Sequence, residues 1–286
     1  MQKVTKTTFS NCLTITRKAI LSSFLLFTFF SITVKASVDV TATIGNPSAS
    51  YATLSSAFSQ INAGIHQGDI TILVTSDIVE TSTAMLTYSG AASGATYTSI
   101  HIYPSGGLFT ISGAITAGSP LIDLNGADSV TIDGFNNGTN NLTFTNTTVS
   151  ATAGTSTIRF INGAVNNVVT NCTISGSCTS AVTVAGGNIL FSTDSNTPNG
   201  NDNNAISYCL IGPAGSNLPT KGISSIGSAT NIALANSGNT FTYNSIFNYF
   251  GAAVTSAGIY MGTGNTDNTV SYSHFYQTAT RTHTSN

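Results

Sequence analysis

Asp123, Asp128 and Asp133 lie five residues apart in LIDLNGADSVTID, and a converging pair of such carboxylates could serve as general acid and base. The spacing argues against convergence. Residues five apart in an extended chain face opposite sides of a strand, so these groups are expected to make turn and capping hydrogen bonds instead. Proton abstraction would need a basic residue tuned by an acidic neighbour, and Arg159 and Lys221 are the central bases. Arg159 falls between Ile158 and Phe160 in TIRFI, which directs it to solvent, and both cations are expected on the surface without a paired carboxylate. The loop DSNTPNGNDNN brings Asp194, Asn196, Asn199, Asn201 and Asp202 together as hard oxygen ligands of the kind Ca²⁺ takes. Its spacing is not that of an EF-hand and no Glu closes it, so a polar turn-forming loop is the first reading and a weak Ca²⁺ site the second. No other cofactor is implied, because no nucleophile elbow, Walker sequence or dinucleotide glycine pattern follows a strand.

The elements that must position these residues repeat. Five eight-residue units read DSVTIDGF from Asp128, NVVTNCTI from Asn167, NAISYCLI from Asn204, NTFTYNSI from Asn239 and NTVSYSHF from Asn268, at successive intervals of 39, 37, 35 and 29 residues. Such periods belong to solenoids, in which each unit buries its apolar side chains against the next. A second strand precedes the later units, at TIRFI from Thr157, NILFS from Asn188, GISSI from Gly222 and GIYMG from Gly258. The connection between the two swells to TDSNTPNGNDN and SATNIALANSG, which places insertions on one corner of the stack. Further strands are expected at Asp69 to Val74, Ser99 to Tyr103, Leu108 to Ser112 and Leu121 to Leu124. Residues 37–64 read as an N-terminal cap. Within it Leu54, Ala57, Phe58 and Ile61 form one apolar helical stripe behind Thr53 as N-cap, and that helix would cover the first open edge.

Composition agrees with an all-β solenoid, since 6% of residues are charged while β-branched and aromatic residues recur at strand spacing. Residues 1–36 have the order of a cleaved export signal. Lys3, Lys6, Arg17 and Lys18 precede the apolar run Ala19 to Val34, with Ala36 before the cut, and the run is short for a membrane span. Its removal leaves no transmembrane segment and three basic residues, Arg159, Lys221 and Arg281, against ten acidic ones, a net charge of −7. Three dispersed cations cannot displace counterions from phosphate, which excludes a nucleic-acid partner.

The unit N-x-[VIF]-[TS]-x-[NC]-x-[IF] resembles the repeat of right-handed parallel β-helices of the pectin-lyase-like architecture. YATLSSAFSQINAGIHQGDITI, PLIDLNGADSVTIDG and NGNDNNAISYCLI are also similar to segments of large exported Bacteroidetes surface proteins, many of which use the type nine secretion system. The resemblance implies a right-handed helix over residues 65–286, of about eight coils and about 40 Å at about 4.8 Å per coil. It also implies a turn ladder of stacked side chains at Asp133, Cys172, Cys209, Asn244 and Ser273. In that register Val130, Val169, Ile206, Phe241 and Val270 point inward, as do Phe135, Ile174, Ile211, Ile246 and Phe275. Cys172 and Cys209 would then stack as buried thiols, with a disulfide as the alternative. Tyr208, Tyr243 and Tyr272 would form an outward column, either structural cross-strand pairing or a face for a sugar. After Gln277 the chain ends in TATRTHTSN, with no helix, no Pro and no charged run to cover the final coil, so a longer protein is expected. The function expected is a non-catalytic, adhesin-like surface module with extracellular polysaccharide or surface components as partners. A carbohydrate-active β-helix, lyase or hydrolase, is the first alternative and a passive stalk the second.

Overall fold

The computed structural model describes residues 37–90, 92–193 and 199–284. The expected export signal and loop residues Asp194 and Asn196 lie outside that range. The chain winds as a parallel β-helix whose strands fall into sheets of nine, seven and six strands. One coil shows the plan. Val168–Thr170 lies in the first sheet, Thr173–Gly176 in the second and Gly187–Ser192 in the third, and each pairs in parallel with the same strand one coil on. The eight-residue unit is therefore two short strands with a corner between them, not one extended segment. The described residues form six complete coils and a seventh of two strands, where about eight were expected.

In the first two sheets apolar residues alternate inward along most strands and stack between coils, which is why the repeat has to be regular. Ile72, Ile102, Ile132, Val169, Ile206 and Phe241 form one fully buried file. In the third sheet Phe160 and Phe191 stack with ring centroids 4.4 Å apart and planes 1° from parallel. Val270 and Phe275 continue such files in register, but in the last described coil they remain exposed, not inward.

The first repeat is displaced from the alignment read in sequence. Asp133 pairs with Thr170, not with Cys172, so it stands outside the ladder position. Val130 is buried, yet its partner is Ile100 and not Val169. A shift of two residues leaves every side chain on its original face, so alternation alone could not reveal it. Phe135 consequently leaves the core. It has φ of 60° and lies half-buried beside Tyr103, and Phe144 takes the place opposite Ile174.

At the starting end, α1 (Leu54–Asn62) buries Leu54, Ala57, Phe58 and Ile61, and Thr53 Oγ1 accepts from Ser56 N at 3.1 Å. Glu80 adds an interaction that sequence spacing could not show, with Oε1 accepting from the N–H groups of Leu54 and Ser55 at 2.7 and 3.2 Å. A carboxylate at a helix N-terminus meets both unsatisfied donors and the positive end of the dipole. Asn62 covers the third sheet's edge as a strand would, accepting from Thr87 N at 3.0 Å and donating to Met85 O at 2.8 Å. The first sheet is continued instead by two antiparallel strands, Val38–Gly45 and Ser48–Tyr51, which the sequence reading missed.

The most continuous polar feature is an asparagine ladder at the first position of the repeat. Asn204 Oδ1 accepts from Asn167 N at 3.0 Å, Asn239 Oδ1 from Asn204 N at 2.9 Å and Asn268 Oδ1 from Asn239 N at 2.9 Å. Each carboxamide N–H reaches a backbone carbonyl, as Asn204 Nδ2 does to Ala164 O at 2.9 Å. A buried polar group left without a partner costs about 1–3 kcal/mol. Asn204→Leu strands the N–H of Asn167 and the carbonyl of Ala164, so a loss of about 2–5 kcal/mol is expected from urea denaturation. A midpoint like that of the wild type would overturn the ladder.

Candidate functional site

From the fourth coil on, the chain turns from the first sheet to the second through two residues with opposite tasks. The inner one meets buried backbone. Asn244 Oδ1 accepts from Cys209 N at 3.0 Å, its Nδ2 donates to Ile206 O at 2.9 Å, and Asn244 N donates to Ser273 Oγ at 3.2 Å. Cys172 and Cys209 hold the same place in their coils as free, buried thiols, and Cys178 is a third free thiol outside that column. Their Sγ atoms lie 3.1 and 3.2 Å from the carbonyls of Thr170 and Ser207, and burial pushes the Cys172 thiol pKa up.

The outer residue carries positive φ in four successive coils, at Asn171 (54°), Tyr208 (53°), Tyr243 (57°) and Tyr272 (52°). This region suits Gly and Asn and strains a bulky side chain. At the helix's other tight corner, just before the asparagine ladder, Ser129, Asn166, Asn203, Gly238 and Asp267 take the same conformation. Small polar residues thus serve one corner throughout, while the other has three consecutive tyrosines.

Those tyrosines project outward and stack along the helix axis. Tyr208 and Tyr243 have centroids 4.9 Å apart with planes at 1°, and Tyr243 and Tyr272 lie 4.8 Å apart at 8°. They are 55%, 47% and 71% exposed. Their hydroxyls have no protein partner among the described residues, whereas those of Tyr51, Tyr88 and Tyr97 bond to His66, Ala92 O and Thr87 O. On the second-sheet face Phe247 and Tyr276 stack at 5.6 Å. A further aromatic group, His101, Tyr103 and Phe135, joins the earlier coils through centroid distances of 4.8 and 5.1 Å.

The other expected groups do not assemble into a reactive site. Asp133 Oδ1 accepts from Phe135 N at 2.8 Å and Asn171 Nδ2 at 2.9 Å, and Asp128 Oδ1 accepts from Val165 N at 3.3 Å. Asp123 is the exception to the turn-bonding expectation. Its carboxylate forms a two-point ion pair with Arg159 of the next coil, Oδ1 to Nε at 2.9 Å and Oδ2 to Nη2 at 2.7 Å. Arg159 is therefore paired, because the strand register puts it opposite Asp123.

Lys221 is fully buried, not solvated. Its Nζ donates to Ser180 Oγ at 2.9 Å, Ala181 O at 2.6 Å and Val184 O at 2.9 Å, so it pins the preceding coil's loop from inside. Burial pushes its pKa down from 10.5 to about 8, with Cys178 pulling weakly upward. Of the calcium candidates, Asp202 Oδ1 accepts from Ser237 N at 2.7 Å and Asn201 Oδ1 from Ala164 N at 3.1 Å. Burial raises the Asp202 carboxyl pKa. Among the described residues no three His, Cys, Asp or Glu side chains group as metal ligands. No described helix is long and apolar enough to cross a membrane.

No model of a known protein family matches the sequence, and no curated protein matches it. Among solved structures the chain is similar to the pectin methylesterase from Aspergillus niger, crystallised in a penultimately deglycosylated form. That pair shares 14% identity over 82% of this chain and 88% of that one, with a TM-score of 0.31. It is also similar to ORF18 of Geobacillus virus E2, at 13% identity over 78% of this chain and 58% of that one, with a TM-score of 0.17. The parallel β-helix itself rests on the strand pairing described above.

Substitutions at two places test these charges. Arg159→Met leaves a desolvated carboxylate and should cost about 3–5 kcal/mol, most of it recovered in Asp123→Leu/Arg159→Met. Equal losses in the single and double variants would contradict a coupled pair. For Lys221 the unfolded chain holds its proton up to pH 10.5 and the folded chain to about 8, so wild-type stability should rise across that window relative to Lys221→Met. Denaturation midpoints of the two proteins at pH 7.5 and 10, read as a difference, check this, and a constant difference would refute it.

Proposed function

We propose that this chain is an exported, non-catalytic surface module of adhesin-like character that holds polysaccharide on its tyrosine column. One observation carries the reading. Three consecutive coils keep an exposed aromatic residue in a left-handed corner where Asn171 serves without strain, and conserving strain at a surface position is grounds for a functional hypothesis. Exposed stacked aromatics with free hydroxyls offer both apolar contact and hydrogen bonds, the pairing used by polar-ligand sites.

The absence of catalysis is supported by how the charged groups are used. General acid–base chemistry needs an acid and a base within reach of one substrate. Asp123 and Arg159 neutralise each other, Lys221 is enclosed, and Asp128 and Asp133 bond to backbone and amide groups in separate places. Export is supported by the basic, apolar and small-residue order of residues 1–36 and by the resemblance to Bacteroidetes surface proteins of the type nine secretion system. Any calcium would have to come to the loop around Asp194, Asn196 and Asp202 through oxygens beyond those already engaged.

The deciding experiment compares the wild type with Tyr208→Asn/Tyr243→Asn/Tyr272→Asn on immobilised neutral and acidic polysaccharides, with and without Ca²⁺. Asn fits the corner, as Asn171 shows, so the variant should fold. Binding that falls at least tenfold in the variant, with no new reducing ends or unsaturated products, is the expected result. Turnover of any polysaccharide would replace this reading with the lyase or hydrolase one. Equal binding by both proteins would remove the column from it.

A further inference from the structure

We infer that the tyrosine column reads an uncharged glycan chain lying parallel to the helix axis, through ring edges and hydroxyls and not through ring faces. This rests on the proposed binding role of the column. The rings themselves set the mode of contact. With planes within 8° of parallel and centroids 4.8 to 4.9 Å apart, each face of Tyr243 is turned toward a neighbouring tyrosine. The usual stacking of a sugar on an aromatic face is blocked along the column and open only at its two ends. What stays accessible is a row of edges ending in three unpartnered hydroxyls, one per coil.

Spacing selects the polymer. An extended peptide advances about 3.3 Å per residue and presents the same face about every 6.6 Å, so it drifts out of step with a row repeating at the coil rise. A chain of pyranose rings advances by nearly one coil per sugar, so successive sugars each offer hydroxyls to one tyrosine, with alternate sugars turned over in a β-1,4-linked chain. Flanking groups add acceptors and donors without charge. Ser207, Thr242 and Ser271 run beside the column on the first sheet, and Ser245 lies next to it on the second.

Charge selects among glycans. The three basic residues after residue 36 are all engaged: Arg159 with Asp123, Lys221 inside its carbonyl cage, and Arg281 Nη2 with Asn248 Oδ1 at 3.4 Å. Of these only Arg281 keeps a charge that no carboxylate compensates, and its partner Asn248 follows the strand Ser245–Phe247 at the end away from the Tyr243 corner, so no Lys or Arg flanks the column, while the acidic balance of this region repels uronates and sulfates. The fitting ligand is therefore a neutral, linear polysaccharide.

The test uses the protein from residue 37 onward, as the cleaved form would exist, with β-1,4-linked gluco- and manno-oligosaccharides of two to six sugars and oligogalacturonides of equal length. Affinity is read by calorimetry for the wild type, the triple Tyr→Phe variant and the triple Tyr→Asn variant. Tyr→Phe keeps the stack and removes only the hydroxyls, each expected to contribute about a twofold to tenfold factor. The inference expects neutral chains to bind, affinity to climb with length to about three or four sugars, little dependence on salt, and cumulative loss in Tyr→Phe. Three outcomes would each overturn it while leaving the column as a binding face: unchanged binding in Tyr→Phe with loss in Tyr→Asn, affinity independent of length, or preference for oligogalacturonides. Wild-type affinity in Tyr→Asn, or no binding by any oligosaccharide, would remove the proposed function and this inference together.

Discussion

The fold depends on satisfying backbone groups at corners that the winding of the chain buries. Strands supply their own partners one coil away, and so do the outer corner residues, as Tyr208 N donates to Thr242 O, but the N–H groups of the inner corner residues meet side chains of the next coil and not its backbone. A side chain must stand in, and a carboxamide, with one acceptor and one donor fork, can meet an N–H of one coil and a carbonyl beyond it. Asn167, Asn204, Asn239 and Asn268 do so without a break at the entry to the first sheet. At the exit the same demand is met by Asn244, Ser273 and two thiols, which bond less completely. Cysteine there trades hydrogen bonding for packing, which the buried interior tolerates because a small polarizable side chain fills the place at low cost.

Much of this was readable in the chain. The recurring unit points to a solenoid of strands, the resemblance to its parallel winding, and the apolar stripe behind Thr53 to the capping helix. What escaped the reading depends on register between coils. The asparagines of the entry ladder stand first in four of the units, in plain view, but the stacking position was assigned five residues later, where only Asn244 is asparagine. Asp133 was misplaced because a two-residue shift preserves facing, and only the pairing of Val169 with Ile132 exposes it. Asp123 and Arg159 are 36 residues apart and meet only because their strands are neighbours. Burial of Lys221 under Ser180 to Val184 was equally hidden, since its sequence context, TKGISSI, looks like an ordinary surface strand.

The tyrosine column was visible as a column, while its meaning required the backbone angles. An outward aromatic row on a sheet is normally accounted for by cross-strand pairing. Here the tyrosines are not on a strand but on corners between strands, in a conformation that Asn171 takes at the same corner and that Ser, Asn, Gly or Asp takes at the other. Stacking rewards the rings for being together and gives no reason for the first of them to be there. Strain at a position about half exposed or more also gains nothing from core packing, so stacking alone leaves the choice of residue unexplained.

The same economy of charge links stability and function. With so few ionisable groups, each one that the fold draws into an ion pair, a helix cap or a carbonyl cage is one fewer for surface chemistry. Arg159 and Asp123 tie the second coil to the third, Glu80 fixes the helix that closes the stack, and Lys221 holds a loop against the fifth. Beside exposed carboxylates such as Asp69, Asp77 and Asp267, the surface that remains is built from hydroxyls, carboxamides and phenols, groups that exchange hydrogen bonds with neutral partners at modest gain per contact. A face of this kind gains affinity by repetition along an axis, since successive weak contacts to one chain add without new association entropy. A solenoid supplies that repetition directly: the coil rise that stacks the ladder inside also spaces the tyrosines outside.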